Sequence, residues 1–248
     1  MMGESGGMKT ISATLALLAL GASAAVAHAD IQQGFGGDGR NFTVRGFERI
    51  RIDGPVAVKL VTGVPPRARA TGDRNAINQV DVRMNGRTLV VGWEQSNRRG
   101  FRGDNHGPVV VEIGTRTLEK AWVNGSGQLD IDRIERRDFT LSVQGAGGAS
   151  IDDIEVDTLD VGVAGAGNIR ISGEAKEATF LVRGMSNLDA ERTEVRDLTL
   201  GVEGPSFARV QATGEIEIDA VGTVDITVTG DPACTVRAMG SARITGCN

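Results

Sequence analysis

Residues 143–172 read VQGAGGASIDDIEVDTLDVGVAGAGNIRIS, and one phrase occurs twice within this stretch. Val143 and Val163 are each followed, one spacer later, by Gly-Ala-Gly. Then come apolar residues either side of a polar one, Ala149-Ser150-Ile151 and Ile169-Arg170-Ile171. Working outward, the same anchor glycine recurs at Gly125, Gly145, Gly165, Gly184, Gly204, Gly222 and Gly240, at intervals of 20, 20, 19, 20, 18 and 18. Four residues before it stand Ala121, Leu141, Val161, Phe180, Leu200, Ile218 and Val236, and two before it Val123, Val143, Val163, Val182, Val202, Ala220 and Ala238. Four after it come Leu129, Ala149, Ile169, Leu188, Ala208, Ile226 and Ile244; six after it Ile131, Ile151, Ile171, Ala190, Val210, Val228 and Gly246.

Alternation of period two on both sides of the glycine means two short strands per unit, each with one face inward. The glycine supplies the turn where φ must be positive or a side chain would crowd. Two residues on, the column Gly127, Gly147, Gly167, Ser186, Ser206, Val224, Ala242 is small, which suits a corner with little interior room. A unit this short cannot bury its apolar face alone, so neighbours must stack. The fold class is therefore all-β: a parallel β-helix, or β-solenoid, with rungs of 18–20 residues. Outward, Arg170, Asp189 and Arg209 fall in one column and should form a ladder of alternating charge. Around Gly54, Ile50 and Ile52 precede and Val56, Val58 and Leu60 follow, so the signature occurs once more upstream. Further strands read VDVR (80–83), TLVVGW (88–93) and PVVVEI (108–113), with a polar loop at 95–107. Residues 42–117 are expected as irregular first rungs capping the stack, and 118–248 as the regular solenoid.

The start of the chain has a different character. Lys9, the apolar run ISATLALLALGASAAVA and Ala27-His28-Ala29 have the make-up of a secretory signal peptide cleaved after Ala29; Met8 alone would open a complete leader. Residues 30–41 are expected as a flexible leader. No later run is apolar enough to span a bilayer, so the mature chain should be exported, to the periplasm or beyond, without a transmembrane anchor. The two cysteines, Cys234 and Cys247, are expected to pair in an oxidising compartment. Such a loop contributes roughly 3 kcal/mol in the chain-entropy account. The net charge of −5 hides an asymmetry: residues 30–117 carry 14 basic and 9 acidic side chains, residues 118–248 carry 12 and 22. The basic half suits an anionic surface such as a glycan, lipopolysaccharide or nucleic acid, but two differently decorated solvent faces are the simpler account.

The run FERIRIDGPVAVKLVTGVPPRARATGDRNAINQVDVRMNGRTLVVG (47–92), then PVVVEIGTRTLEKAWVNGSGQLDI (108–131) and the serial rungs, resembles the GIN domain family, described as auto-transporter adhesin heads. Its most specific marks are F-x-x-I-x-I-x-G-P-x-x-V from Phe47 to Val58 and V-N-G-S-G-Q-L-D-I from Val123 to Ile131. The likeness runs from about Phe42 to Asn248. It implies a β-helical, exported bacterial protein and brings no catalytic residues to carry over. An autotransporter would add barrel strands with aromatic girdles; the C-terminal segment MGSARITGCN has no aromatic residue.

Other motifs lack their structural context. GFGGDG (34–39) fits a dinucleotide fingerprint but has neither the strand before nor the helix after. GGDGRNFTV (36–44) approaches a calcium nonapeptide once, where tandem copies are required. Arg102-Gly103-Asp104 spells an integrin-read tripeptide, and Arg98, Arg99 and Arg102 make the same loop basic; these are the candidate binding residues. His106 is the sole histidine after Ala29, which leaves little for a Ser-His-Asp, Cys-His or histidine-rich metal site. Asp130 and Asp132, with Asp152 and Asp153 one rung on, are the paired carboxylates that a β-helical glycan-cleaving enzyme would need. No aromatic sugar platform accompanies them. The expectation is a non-enzymatic exported module with an envelope, glycan or protein ligand, no cofactor, no metal and no nucleic-acid partner. The alternatives are that carbohydrate-active enzyme or a purely periplasmic envelope component.

Overall fold

The computed structural model describes residues 39–94 and 107–247. In chain order the elements are β1 (Arg40–Phe42), β2 (Arg49–Asp53), β3 (Ala57–Val61), β4 (Arg67–Gly72), α1 (Arg74–Gln79), β5 (Val80–Asn85), β6 (Thr88–Trp93) and β7 (Val109–Gly114). Then come β8 (Lys120–Gly125), β9 (Gln128–Gly145), β10 (Gly148–Gly165), β11 (Asn168–Gly184), β12 (Asn187–Glu203), β13 (Ser206–Thr229) and β14 (Ala233–Thr245). All fourteen strands join one sheet wound into a parallel solenoid of about six turns.

The columns read from the sequence are the ladders of this sheet. Val143 pairs with Val163 and Val163 with Val182; Ile131 pairs with Ile151 and Ile151 with Ile171. The inward columns are buried from β8 to β13, with Leu141, Phe180, Leu200 and Ile218 fully enclosed. Each such side chain contributes about 1.5–3 kcal/mol on leaving water, but only because the next rung covers it. Rung length falls from 20 to 18 residues without disturbing these ladders. The register slips at the corner after the second apolar pair, between Ile151 and Ile154, Arg170 and Ser172, and Ala190 and Glu194.

The anchor glycines occupy positive φ, 96° at Gly125, 110° at Gly145 and 114° at Gly165. A Cβ on Gly145 would sit 2.6 Å from the carbonyl oxygen of Gly125, one rung away. Glycine is thus required by conformation and by rung-to-rung approach together. At the neighbouring small column, the Ser206 hydroxyl donates to the Gly184 carbonyl at 2.7 Å, and Ser186 donates to Arg183 at 3.0 Å. Both buried hydroxyls are therefore satisfied.

The N-terminal region caps the stack, and its strands do not follow chain order along the axis. Strands β2 and β3 form a regular rung, with Ile50, Ile52, Val56, Val58 and Leu60 buried. That rung lies inside the stack. Later residues cover its outer side: β6 pairs parallel with β2, and β7 with β3, while β8 and β9 cover its inner side. The true cap is antiparallel. β5 pairs with β6, β4 with β7 and β1 with β4. Antiparallel strands end a parallel series because they break the rung path that would template another turn. β1 begins at Arg40, inside the expected leader, because Arg40–Phe42 finds partners in Ala68–Ala70. The short α1 is capped by Asp73, whose side chain accepts from the backbone of Asn75 and Ala76 at 2.9 and 3.0 Å.

The opposite end is plainer. Among the described residues no strand pairs with the outer edge of β14. Its inward residues are only partly covered, Val236 being 42% exposed. The Cys234–Cys247 disulfide spans this last rung, with Cα atoms 5.7 Å apart, and packs against the end of the core. No helix of the described residues is long and apolar enough to cross a membrane.

Candidate functional site

Outward positions distinguish one part of the solenoid from another. Among the described residues the large apolar side chains left in water are Leu181, Met185, Phe207, Val221, Val236 and Met239, all in the C-terminal rungs. Val236 is an inward residue at the open end. Met185, Phe207, Val221 and Met239 flank the glycine corner, one residue before the anchor (Val221, Met239), one after (Met185) or three after (Phe207). In earlier rungs the same positions hold Asn124, Gln144 and Ala164; Ser126, Ala146 and Ala166; and Gln128, Gly148 and Asn168. The corner of the C-terminal rungs therefore carries large apolar side chains that the earlier rungs lack, set among polar ones such as Arg183, Glu203, Asp225 and Arg243. Exposed apolar groups gathered in this way mark interaction surfaces.

Phe207 stands apart within this group. Its column runs Gln128, Gly148, Asn168, Asn187, Phe207, Asp225, Arg243, all polar or glycine except itself. Strand pairing sets Asn187 beside Phe207 and Asp189 beside Arg209. A shallow groove is lined by Asn187, Phe207, Ala208, Arg209, Asp225 and Thr227. Sequence reading passed over this site because it followed the inward columns; an aromatic residue alone in a polar column was the available signal.

The charged columns are mostly self-satisfied. Arg170 meets Asp189 at 3.4 Å, so the expected alternating ladder forms there, but it stops before Arg209, which has no ion pair among the described residues. Arg183 pairs with Glu203 at 3.2 Å and Arg237 with Glu217 at 2.5 Å, which raises the Arg237 pKa. A hydrogen bond and attraction from Lys176 hold Asp157 below its ordinary value, and Arg196 does the same for Asp197. One column runs against this pattern. Glu135, Glu155, Glu174 and Glu194 are stacked in register, like charge on like charge. Among the described residues no cluster of His, Cys, Asp or Glu could hold a metal ion.

The sequence-derived candidates fall as follows. Cys234 and Cys247 are joined. Arg98, Arg99, Arg102, Gly103 and Asp104 lie outside the described residues, as does His106. Of the paired carboxylates, Asp130 accepts from the Ser150 hydroxyl at 2.7 Å, Asp132 from the Thr62 backbone at 3.0 Å, and Asp153 pairs with Arg133 at 2.9 Å. They brace neighbouring rungs. Asn124 of the Asn-Gly-Ser sequon donates its side-chain amide to Asp53 at 2.9 Å, binding the first regular rung to its neighbour.

No protein of curated function matches the chain. Several solved structures share its fold. A protein of Bacteroides fragilis described as a putative adhesin superposes with a TM-score of 0.73 at 21% identity, over 83% of this chain and 94% of that one. A putative adhesin of Parabacteroides merdae gives 0.64 at 17%, over 83% and 94%. A Parabacteroides distasonis protein described as a putative lipid binding protein gives 0.66 at 18%, over 84% and 97%. Finally, residues 46–232 match the family model described as "Putative auto-transporter adhesin, head GIN domain", and the chain belongs to that family.

Proposed function

We propose that this protein is an exported, non-enzymatic binding module of the bacterial envelope, whose glycine corner in the C-terminal rungs is the contact surface. The observation that carries the reading is the exposure of Met185, Phe207, Val221 and Met239 along that corner, at 70%, 61%, 45% and 68%. Large exposed apolar side chains that share one corner mark an interaction surface, where singly scattered ones would not. Export is supported by the leader pattern ending at Ala29 and by the disulfide, which needs an oxidising compartment. Of the acidic side chains that an enzyme reading would use, Asp130, Asp132 and Asp153 are engaged between rungs.

Two measurements test this. Protease added to intact cells should remove a tag placed at residues 95–107 if the module faces outward; protection, with release on osmotic shock, makes it periplasmic. Fluorescent residues 30–248 should bind isolated envelope material, and Met185→Ser with Met239→Ser should abolish that binding. Equal binding by the double variant would refute the corner as the contact surface.

A further inference from the structure

We infer that the groove around Phe207 is a carbohydrate subsite, taking a neutral pyranose stacked on the phenyl ring. This deepens the binding-module reading and rests on it. Phe207 is the one exposed phenylalanine among the described residues; Phe47, Phe139 and Phe180 are buried and Phe42 packs against the core. It projects from the outer face of β13, so its ring belongs to the surface and not to a misplaced core residue. Asn187 lies one strand away, at about 4.8 Å spacing, and Asp225 lines the same groove; Arg209 follows two residues along the same face, about 6.7 Å on. Thr227 completes the rim beside Arg209.

The side chains of Asn187, Arg209, Asp225 and Thr227 make no hydrogen bond or ion pair among the described residues, unlike Arg170, Asp189, Arg183 and Glu203 around them. An apolar platform ringed by unengaged donors and acceptors fits few ligands. One face of a pyranose is lined with C–H groups whose weakly positive hydrogens pack on the negative face of an aromatic ring. Its edge carries hydroxyls that both donate and accept. Asn187 and Thr227 offer both functions, Asp225 accepts and Arg209 donates. An acyl chain would bury these four groups without partners, which costs more than the ring contact returns. An anion would meet Asp225, and a cation would meet Arg209. A neutral sugar satisfies all of them. The groove is open and shallow, so a single residue should bind at about 1 mM, and strength must come from repeated contacts along a polymer.

The test is saturation-transfer NMR on residues 30–248 with methyl glucoside, methyl mannoside, methyl galactoside and methyl N-acetylglucosaminide. At least one should receive saturation, concentrated on the ring C–H protons of one face. Phe207→Ala should weaken it at least tenfold, Phe207→Trp should retain it, and Asn187→Ala with Asp225→Ala should weaken it without changing which protons respond. Because Phe207 is exposed, Phe207→Ala should keep the far-UV spectrum and melting temperature of the parent. The subsite is overturned if no pyranoside at about 10 mM receives saturation, or if transfer survives Phe207→Ala. It is equally overturned if Phe207→Ala abolishes binding to phosphatidylcholine vesicles while no sugar binds. Loss of the subsite with envelope binding intact would leave the binding-module reading standing; loss of both would remove it too.

Discussion

Replacing Gly165 by alanine tests the logic of the stack directly. Gly165 has φ of 114°, and its Cβ would stand 2.6 Å from the Gly145 carbonyl oxygen and 3.2 Å from the Gly145 Cα. Those atoms are backbone held in a ladder, so no rotamer change can relieve the clash. Forcing a side chain into this conformation costs about 1–3 kcal/mol, and overpacking against a rigid neighbour about the same again. The expected loss is about 2–6 kcal/mol, against a total stability of about 5–15 kcal/mol. Three residues earlier the opposite holds. Gly162 faces outward in β10, has no positive φ and would meet no atom within 4 Å. Gly162→Ala should therefore be neutral or stabilising by about 0.4–1 kcal/mol. Urea unfolding of residues 30–248, disulfide intact and followed by circular dichroism, reads both. With a slope of about 1–3 kcal/mol per molar, Gly165→Ala should lower the midpoint by about 0.7 M or more. If the two variants unfolded within about 0.5 kcal/mol of each other, the account of the glycine ladder would be wrong.

Other expectations can be checked with the same material. Reducing Cys234–Cys247 should lower stability by about 3 kcal/mol, and hydrogen exchange should show β14 losing protection first; unchanged protection would refute its role at the chain end. Glu155→Gln removes repulsion from Glu135 and Glu174 in the stacked column, so the melting temperature should rise at low ionic strength and the gain should shrink with salt; a lower melting temperature refutes it. Lys176 contacts Asp157 at 2.5 Å and depresses its pKa. The folded value lies below the unfolded one, so the stabilisation exists above about pH 4 and is lost as pH falls through the folded pKa. Lys176→Gln should raise the Asp157 pKa in a carboxyl-carbon NMR titration and lower stability slightly near neutrality but not in acid; an unmoved pKa counts against the pair.

The solenoid was legible because its period is written in the chemistry. Inward residues must be apolar at each turn, and the corner admits only glycine, so Gly125 to Gly240 can be aligned without a structure. The N-terminal order was not legible. β2 and β8 alternate in the same way, β6 is a continuous apolar run, and nothing in Ile50-Arg51-Ile52 says which neighbour lies on which side. Local signals were present there: Gly86-Arg87 is the two-residue hairpin turn between β5 and β6, and Asp73 opens α1. The disulfide followed from composition. The corner surface did not, because exposure is a property of columns that packing leaves unconstrained; Met185 and Phe207 become conspicuous only once the inward set is known.

The placement of β2 and β3 between strands made later has a consequence for how the chain becomes folded. Threaded out N-terminus first, the segment 49–61 emerges with both edges open and must wait for residues up to at least 114 before one edge is closed, and up to 131 before the other is. The slow, non-local step is therefore confined to the first half of the chain. Once it is complete, each later turn adds to a finished edge, and assembly runs in one direction. Residue 117 is then no point at which to divide the molecule: residues 118–248 alone would lack the surface on which their first strand forms.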